Sequence, residues 1–391
     1  MHPFYEKSAA LQAPSRARIV AIRGRPVNAP AGTIFRSVQV DLRESWWIGE
    51  VEIPTRLVLA PMAGVSVQAF RRQGRRYGAG LVCSEMVSCA GLEHQNERTL
   101  GYLRVARDEH PLAIQIFGSE PSVMAEAARM VATAGADIVD INFGCPVRKV
   151  TKTGAGATLL EDPDRACAIV AAVASAVEIP VSVKMRRGLE NGSRACLVVG
   201  PRLVEAGAAS LTLHPRSARQ MYTGEADHRL TAELVELVDV PIIASGDITS
   251  RTRAQTVLAT TGAAAVMVGR GAQGSPWTLR EIVDGDDGEP SREEVAAELI
   301  LFVRETVREL GERRASGFLK KFYAWYLGRG RFPRPFKQEL VQLESTEEIV
   351  TRLFAAAPGA AEIVERLEGE LPDPGDEILL DSMPISIYGG G

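Results

Sequence analysis

The stretch Asp140-Ile141-Asn142-Phe143-Gly144-Cys145-Pro146 decides the reading of this chain. An apolar run over 138–142 ends in a turn shaped by glycine and proline, and the cysteine lies past the strand rather than within it. It is the fourth of a series of short apolar runs, at 57–59, 80–83, 112–117, 138–142, 181–184, 210–213, 241–244 and 265–268. Longer amphipathic stretches separate them, among them 122–133, 163–176, 195–206 and 251–261. Gly135, Gly207 and Gly262 follow three of these at positions suited to a left-handed helix cap. Apolar strands separated by helices predict parallel strands covered on both faces. Eight such units predict an α/β chain folded as a (β/α)₈ TIM barrel rather than an open sheet.

In a barrel of this kind, chemistry sits at the C-terminal strand ends. The first strand runs into Ala60-Pro61-Met62-Ala63-Gly64, where small residues let backbone approach a flat ligand or simply make a tight turn. Gln115 interrupts an apolar run; a buried amide there reads the polar edge of a ring or bonds a neighbouring strand. Lys184 ends the fifth strand and needs an anion, an electron-rich partner or a carboxylate beside it. His214 ends the sixth, as a donor to a ligand or as a satisfied structural residue. Ser245-Gly246-Asp247 and Gly269-Arg270-Gly271 follow strands seven and eight, the two places where barrels build a phosphate site. Buried cysteine is common and usually inert. Cys145 stands apart from Cys83, Cys89, Cys167 and Cys196 because it follows its strand, precedes Pro146 and faces those other strand ends.

The flanks differ from this pattern. Residues 1–44 are rich in Pro, Ala and Arg and read as a loosely held extension ahead of a barrel over 45–283. An acidic, turn-rich linker at 284–290 leads to a helical domain over 290–357, and 358–391 read as a tail. The segment 313–337 is basic and aromatic. Its aromatics are expected inside a helical bundle, with Lys320, Lys321, Arg329 and Arg331 outside. With 391 residues and a net charge of −4, bulk charge points to no polyanionic partner, so any nucleic-acid surface must be local. The five cysteines have no tight pair spacing, which disfavours disulfides and a metal site and fits a reducing cytoplasmic setting. No apolar run reaches the length of a membrane span, and a monomer is expected.

Together, 59–65, Gln115, Asn142-Phe143-Gly144-Cys145-Pro146-Val147, Gly154-Ala155-Gly156, Lys184-Met185-Arg186, Gln220-Met221-Tyr222-Thr223-Gly224 and Gly246-Asp247-Ile248 resemble the tRNA-dihydrouridine synthases, most of all their bacterial B-type branch. The resemblance runs from about residue 46 to about residue 330. It implies a flavin-dependent oxidoreductase: an FMN-bound barrel, a helical domain that grips tRNA, and NADPH as electron donor. The reaction is reduction of the C5=C6 bond of chosen uridines. Carried over, Pro61, Met62 and Ala63 would line the flavin ring, Gln115 and Lys184 would bond its polar edge, and His214 would lie beside it. Ser245, Gly246, Asp247, Gly269 and Arg270 would hold the phosphate, and Cys145 would be the general acid. Asn142, Lys149, Lys152, Arg216, Lys320, Lys321 and Arg329 are the expected contacts to the RNA substrate. Ser245 stands where the family usually has Asn, and Pro215 where it has Gly, which fixes φ just before Arg216. Two other readings remain at this point: an FMN barrel acting on a small molecule of the dihydroorotate or enoate type, and a tRNA-binding or folding protein with secondary chemistry.

Overall fold

The computed structural model describes residues 40–286 and 288–371, so most of the expected extension and the last part of the expected tail lie outside the described residues. Eight strands form the barrel: β1 (Leu57–Leu59), β2 (Leu81–Cys83), β3 (Leu112–Phe117), β4 (Ile138–Phe143), β5 (Val181–Arg186), β6 (Ser210–His214), β7 (Ile242–Ser245) and β8 (Ala265–Val268). Every neighbouring pair is parallel, and β8 pairs with β1 through Val266↔Leu57, Met267↔Val58 and Val268↔Leu59, which closes the sheet. A short strand, Val87–Ser88, continues the pairing along β3 beyond the end of β2.

Strand side chains alternate between two environments. Val139, Ile141 and Phe143 of β4, like Val183 and Met185 of β5, face outward into the layer of helices. The opposite parity faces the barrel axis. Its lower part is apolar and includes Val58, Leu81, Ile138, Ile243, Ala265 and Met267. A hairpin that precedes the barrel, Trp46–Ile48 paired with Val51–Ile53, adds Trp46, Ile48 and Ile53 to this cluster. Higher up, the axis-facing positions become polar: Gln115, Asp140, Asn142, Ser182, Thr212, His214 and Ser245 are all buried. The strands are thus apolar throughout on one face only, and the expected two-sided apolar burial gives way to polarity where the site lies.

The connecting helices are α1 (Gln68–Arg76), α2 (Pro121–Thr133), α3 (Pro163–Ala174), α4 (Ala195–Glu205), α5 (Arg229–Leu237), α6 (Arg251–Thr261) and α7 (Trp277–Asp284). Local chemistry sets their ends. Pro121 and Pro163 open α2 and α3 at a position where a missing N–H costs nothing. Asp162 and Ser250 accept from the first-turn N–H groups of Arg165 and Arg253. Gly262 closes α6 at φ 72°.

Beyond the barrel come α8 (Arg292–Leu310), α9 (Glu312–Arg329), α10 (Arg334–Gln342), α11 (Thr346–Ala356) and α12 (Ala360–Glu370). The tail expected from residue 358 therefore begins with a helix, whose buried Ala360 and Val364 belong to the same core as α8. Residues 40–42 likewise belong with the barrel: Leu42 is fully buried, and its carbonyl accepts from Arg56 N–H at 2.9 Å. In α9 the aromatics do turn inward: Phe322, Tyr323 and Tyr326 are buried, and Phe302 of α8 lies against Phe322 and Tyr326.

Helix α1 docks α8 and α9 onto the barrel. Its run of Arg and Gln looks like a solvated face, yet Arg71, Arg72 and Gln73 are buried. Arg72 pairs with Asp108 and Glu305, both at 2.8 Å, and Arg76 with Glu298 at 2.9 Å. Gln73 donates to Glu298 at 2.9 Å and accepts from the Tyr326 hydroxyl. Removing one member of a buried ionic group leaves its partners desolvated and uncompensated. Arg72→Leu is therefore expected to lower unfolding free energy by about 3 kcal/mol, measured by chemical denaturation of the full chain.

Candidate active site

Cys145 sits in the turn after β4, and each polar group of its backbone is held. Asn142 Oδ1 accepts from the N–H groups of Gly144 (3.1 Å) and Cys145 (2.8 Å). The Cys145 carbonyl accepts from Ala157 N–H at 3.1 Å. Arg186 Nε donates to the Gly144 carbonyl at 3.0 Å, while its Nη1 donates to the carbonyls of Ser217 and Met221 at 2.8 Å. Gly156 packs so closely, at φ 69°, that a Cβ there would lie 2.7 Å from the Cys145 oxygen and 3.3 Å from its Cβ.

Beneath the turn runs a row of buried hydrogen bonds. Asn142 Nδ2 donates to Gln115 Oε1 at 2.7 Å, and Gln115 Nε2 donates to Asp140 Oδ2 at 2.6 Å. The Ser182 hydroxyl donates to Asp140 Oδ1 at 2.6 Å. Barrel register produces this row, since Gln115, Asp140 and Ser182 are direct neighbours across β3, β4 and β5. Asn142, Lys184 and Thr212 make the next layer, and Arg186 and His214 the rim.

Lys184, Arg186 and Arg270 bring positive charge to this rim. Burial pushes the Lys184 ammonium down to about 8; Arg186 adds to the shift and Asp140 opposes it. No hydrogen bond or ion pair of Lys184 is found among the described residues. His214 lies far below the usual histidine range through burial, with Lys184, Arg186, Arg216 and Arg270 pushing the same way, so it is neutral. Arg270 is exposed, and its guanidinium lies 4.5 Å from the centre of the Tyr222 ring, which also approaches Arg186 and His214. Desolvation raises the Cys145 thiol, against the lowering effects of Val147 N–H, Arg186 and Lys184, so the sulfur keeps its proton at neutral pH.

The turn after β1 is rigid. Met62 N–H donates to Ser66 Oγ at 3.0 Å and Gly64 N–H to Glu85 Oε2 at 2.6 Å. Pro61 and Met62 are half-buried and Ala63 is exposed. Gly269 lies against Ala60 and Met62, and Gly246, at φ 112°, abuts His214 so closely that a Cβ would meet its ring at 2.9 Å. Ser245 is buried at the end of β7.

Several expected contacts are placed otherwise. Arg216 is not available to an RNA phosphate: it is buried and pairs with Asp247 at 2.8 Å. The physical reason is the turn at Pro215, where Arg216 N–H bonds the His214 carbonyl at 2.8 Å and turns the side chain inward. The Asp247 carboxylate is consumed by the same pair and by Ala226 N–H at 2.8 Å, so any phosphate contact from that residue is left to its backbone. Asn142 spends its amide on the Cys145 turn and Gln115 rather than on a substrate. Lys320 pairs with Glu344 at 2.6 Å within the helical segment, and Arg329 is half-buried. Lys321 of α9 donates to the Gly64 carbonyl, next to Glu85, and so touches the β1 turn itself. Lys149 and Lys152 are exposed beside Cys145, without hydrogen bonds or ion pairs among the described residues. Asp140, Ser182, Arg186 and Glu85 went unassigned in the sequence. The signal for the first three was a period of two from Asn142 and Lys184.

A closed parallel barrel with a fixed thiol and a cationic wall on its C-terminal rim defines a barrel enzyme of the TIM class. The comparisons narrow this. Residues 58–361 match the family described as Dihydrouridine synthase (Dus). The chain is 37% identical over 306 residues to tRNA-dihydrouridine synthase B of Pseudomonas aeruginosa, covering 77% of this chain and 92% of that one. It is 36% identical over 313 residues to a probable tRNA-dihydrouridine synthase of Rhizobium leguminosarum, covering 80% and 98%. Among solved structures, histamine dehydrogenase from Rhizobium sp. 4-9 is similar in fold, with a TM-score of 0.51 at 13% identity over 67% of this chain and 50% of that one. The chain belongs to the dihydrouridine synthase family, in its bacterial B-type branch.

The geometry makes Gly156 a sensitive position. Gly156→Ala is expected to displace the Cys145 turn and to destabilise the protein by about 2 kcal/mol, read as a lowered Tm together with an altered rate of Cys145 alkylation.

Proposed function

We propose that this protein reduces the C5=C6 bond of uridines in tRNA to 5,6-dihydrouridine, with FMN as its flavin, NADPH as electron donor and Cys145 as general acid. Family membership supports the reaction. The observation that carries the catalytic assignment is the thiol of Cys145, still protonated and fixed by backbone bonds at the rim where the cationic wall lies.

The rim fits a flavin by the chemistry of its donors. Lys184 is a desolvated ammonium lacking an anionic partner within hydrogen-bonding distance, and Arg270 is an exposed fork of N–H donors. An electron-rich ring with a phosphate tail supplies what both lack. Lys184 and the remaining N–H of Gln115 would hold the ring's polar edge, with His214 neutral beside it. Pro61, Met62 and Ala63 would line its face. Ser245, Gly246, Gly269, Arg270 and the backbone of Asp247 would hold the phosphate. Bound there, FMN would supply hydride chemistry at C6 of the uracil.

The chain's own part is to place the base and deliver a proton. Cys145 gives its proton to C5, and the resulting thiolate is reprotonated from solvent. Lys184 and Arg186 lower the cost of that thiolate. The base must leave its stack to reach the rim, which costs a few kcal/mol. Lys149 and Lys152 offset part of this by binding backbone phosphates next to the entry point.

Cys145→Ala is expected to leave bound flavin unchanged and to cut dihydrouridine formation in tRNA by roughly 100-fold or more, measured by nucleoside mass spectrometry of tRNA from cells carrying only the variant. Normal dihydrouridine levels there would remove the assignment of Cys145. Equal turnover of free uridine or orotate by the purified enzyme would favour a small-molecule reductase instead.

Lys184 also gives a pH signature. Its ammonium form prevails below about 8 and is lost above that value. Affinity for FMN is expected to fall as pH rises from about 7 to about 10, while Lys184→Met binds weakly with no such slope. Titration of flavin fluorescence measures both.

A further inference from the structure

We propose that Asp140 is a positioning residue for Cys145, acting by fixing which way the amides of Gln115 and Asn142 point. The inference rests on the reading of Cys145 as proton donor, but its geometry stands by itself. An amide side chain has a donating end and an accepting end of nearly the same shape. In a buried row of two amides, either both ends match their neighbours or every contact fails together. Here the row ends on two N–H donors, those of Gly144 and Cys145, which require Asn142 to present its oxygen. Asn142 then has only its NH₂ to offer Gln115, and Gln115 has only its own NH₂ to offer Asp140.

An ionised carboxylate at the other end of the row accepts from whatever faces it. It takes the Gln115 N–H at 2.6 Å and the Ser182 hydroxyl at 2.6 Å, so the opposite orientation of Gln115 would set oxygen against oxygen. Burial raises the Asp140 carboxyl to about 6, opposed by the bonds from Ser182 and Gln115, so it is ionised at pH 7 and above. Asp140 is buried within β4, and its side chain bonds Gln115 and Ser182 rather than the Cys145 turn. Its hold on the position of the turn passes through the two amides, apart from the charge it presents to Lys184.

A swap of charge tests this. In Asn142→Asp the new carboxylate faces Gln115 Oε1, oxygen against oxygen, with Gln115 trapped between two acceptors, and the repulsion draws it away from the N–H groups of Gly144 and Cys145. In Asp140→Asn the row keeps its partners but loses the fixed acceptor that orients it. The double variant, Asp140→Asn with Asn142→Asp, satisfies every bond in reverse. The carboxylate now at position 142 accepts from Gln115 Nε2 as well as from the turn. Gln115 Oε1 accepts from the amide now at position 140, and that amide's oxygen accepts from Ser182.

The measurements, on the full-length flavoprotein, are hydrogen exchange at the amides of residues 144 and 145, and kcat and KM for tRNA. Each single variant is expected to exchange about tenfold faster at these amides and to lose kcat with KM little changed. The double variant is expected to return exchange to within roughly threefold of the parent. Singles that exchange like the parent, or a double as fast as the two singles combined, would overturn the proposal. Should Asn142→Asp fail to fold, the double variant must still fold, and its failure would overturn the proposal equally. Exchange needs no turnover, so the Cys145→Ala measurement separates a failed donor assignment from a failed row.

Discussion

Closure of the sheet by the pairing of β8 with β1 is the constraint behind everything at the site. The register Val266↔Leu57, Met267↔Val58 and Val268↔Leu59 joins residues that lie far apart in the chain and leaves no free edge among the barrel strands. Once closed, the sheet can put only alternate side chains on its axis. Asp140 and Asn142 then share an interior with Gln115, Ser182 and Lys184, because pairing between β3, β4 and β5 sets them in layers. Polar residues inside a barrel are costly unless each finds a partner. The row from Ser182 to the Cys145 turn meets that demand for its own members and at the same time holds the turn that carries Cys145.

Much of this was legible beforehand, and the reason is periodicity. The eight strand positions and the order of the helices follow from apolar runs cut by glycine, proline and polar residues, and Cys145 stood out by lying after its strand. What the sequence concealed was the pairing of side chains. Arg216 and Asp247 both looked like ligand contacts, yet they are far apart in the chain, and only the folded loop after β6 brings them into one ion pair, with Arg216 buried and Asp247 half-buried. Asp140 went unassigned for a different reason: its place two residues before Asn142 puts it on the barrel axis, but a single carboxylate within an apolar strand does not reveal what it bonds. Helix α1 shows the same limit, since a run of Arg and Gln has the composition of a wet surface and here forms an inner seam.

That seam joins two functions. It ties α8 to the barrel through ionic contacts from Arg72 and Arg76, and α9 through the hydrogen bond of Tyr326 to Gln73. Lys321 extends the tie to Gly64, one residue after the Pro61-Met62-Ala63 turn, while Glu85 holds the same glycine from below. The helical segment and the rim of the barrel are thus in direct contact, even though the sequence presents them as separate regions. Among the described residues no helix is long and apolar enough to cross a membrane.

The anchoring of residue 145 has one more outcome. Its N–H is held by Asn142, its C=O by Ala157, and Gly156 fills the space behind it. With the main chain immobile, the sulfur keeps a single degree of freedom, rotation about χ1, and that rotation has only a few staggered rest positions. The sulfur therefore occupies discrete stations on a small circle rather than a continuous range of positions.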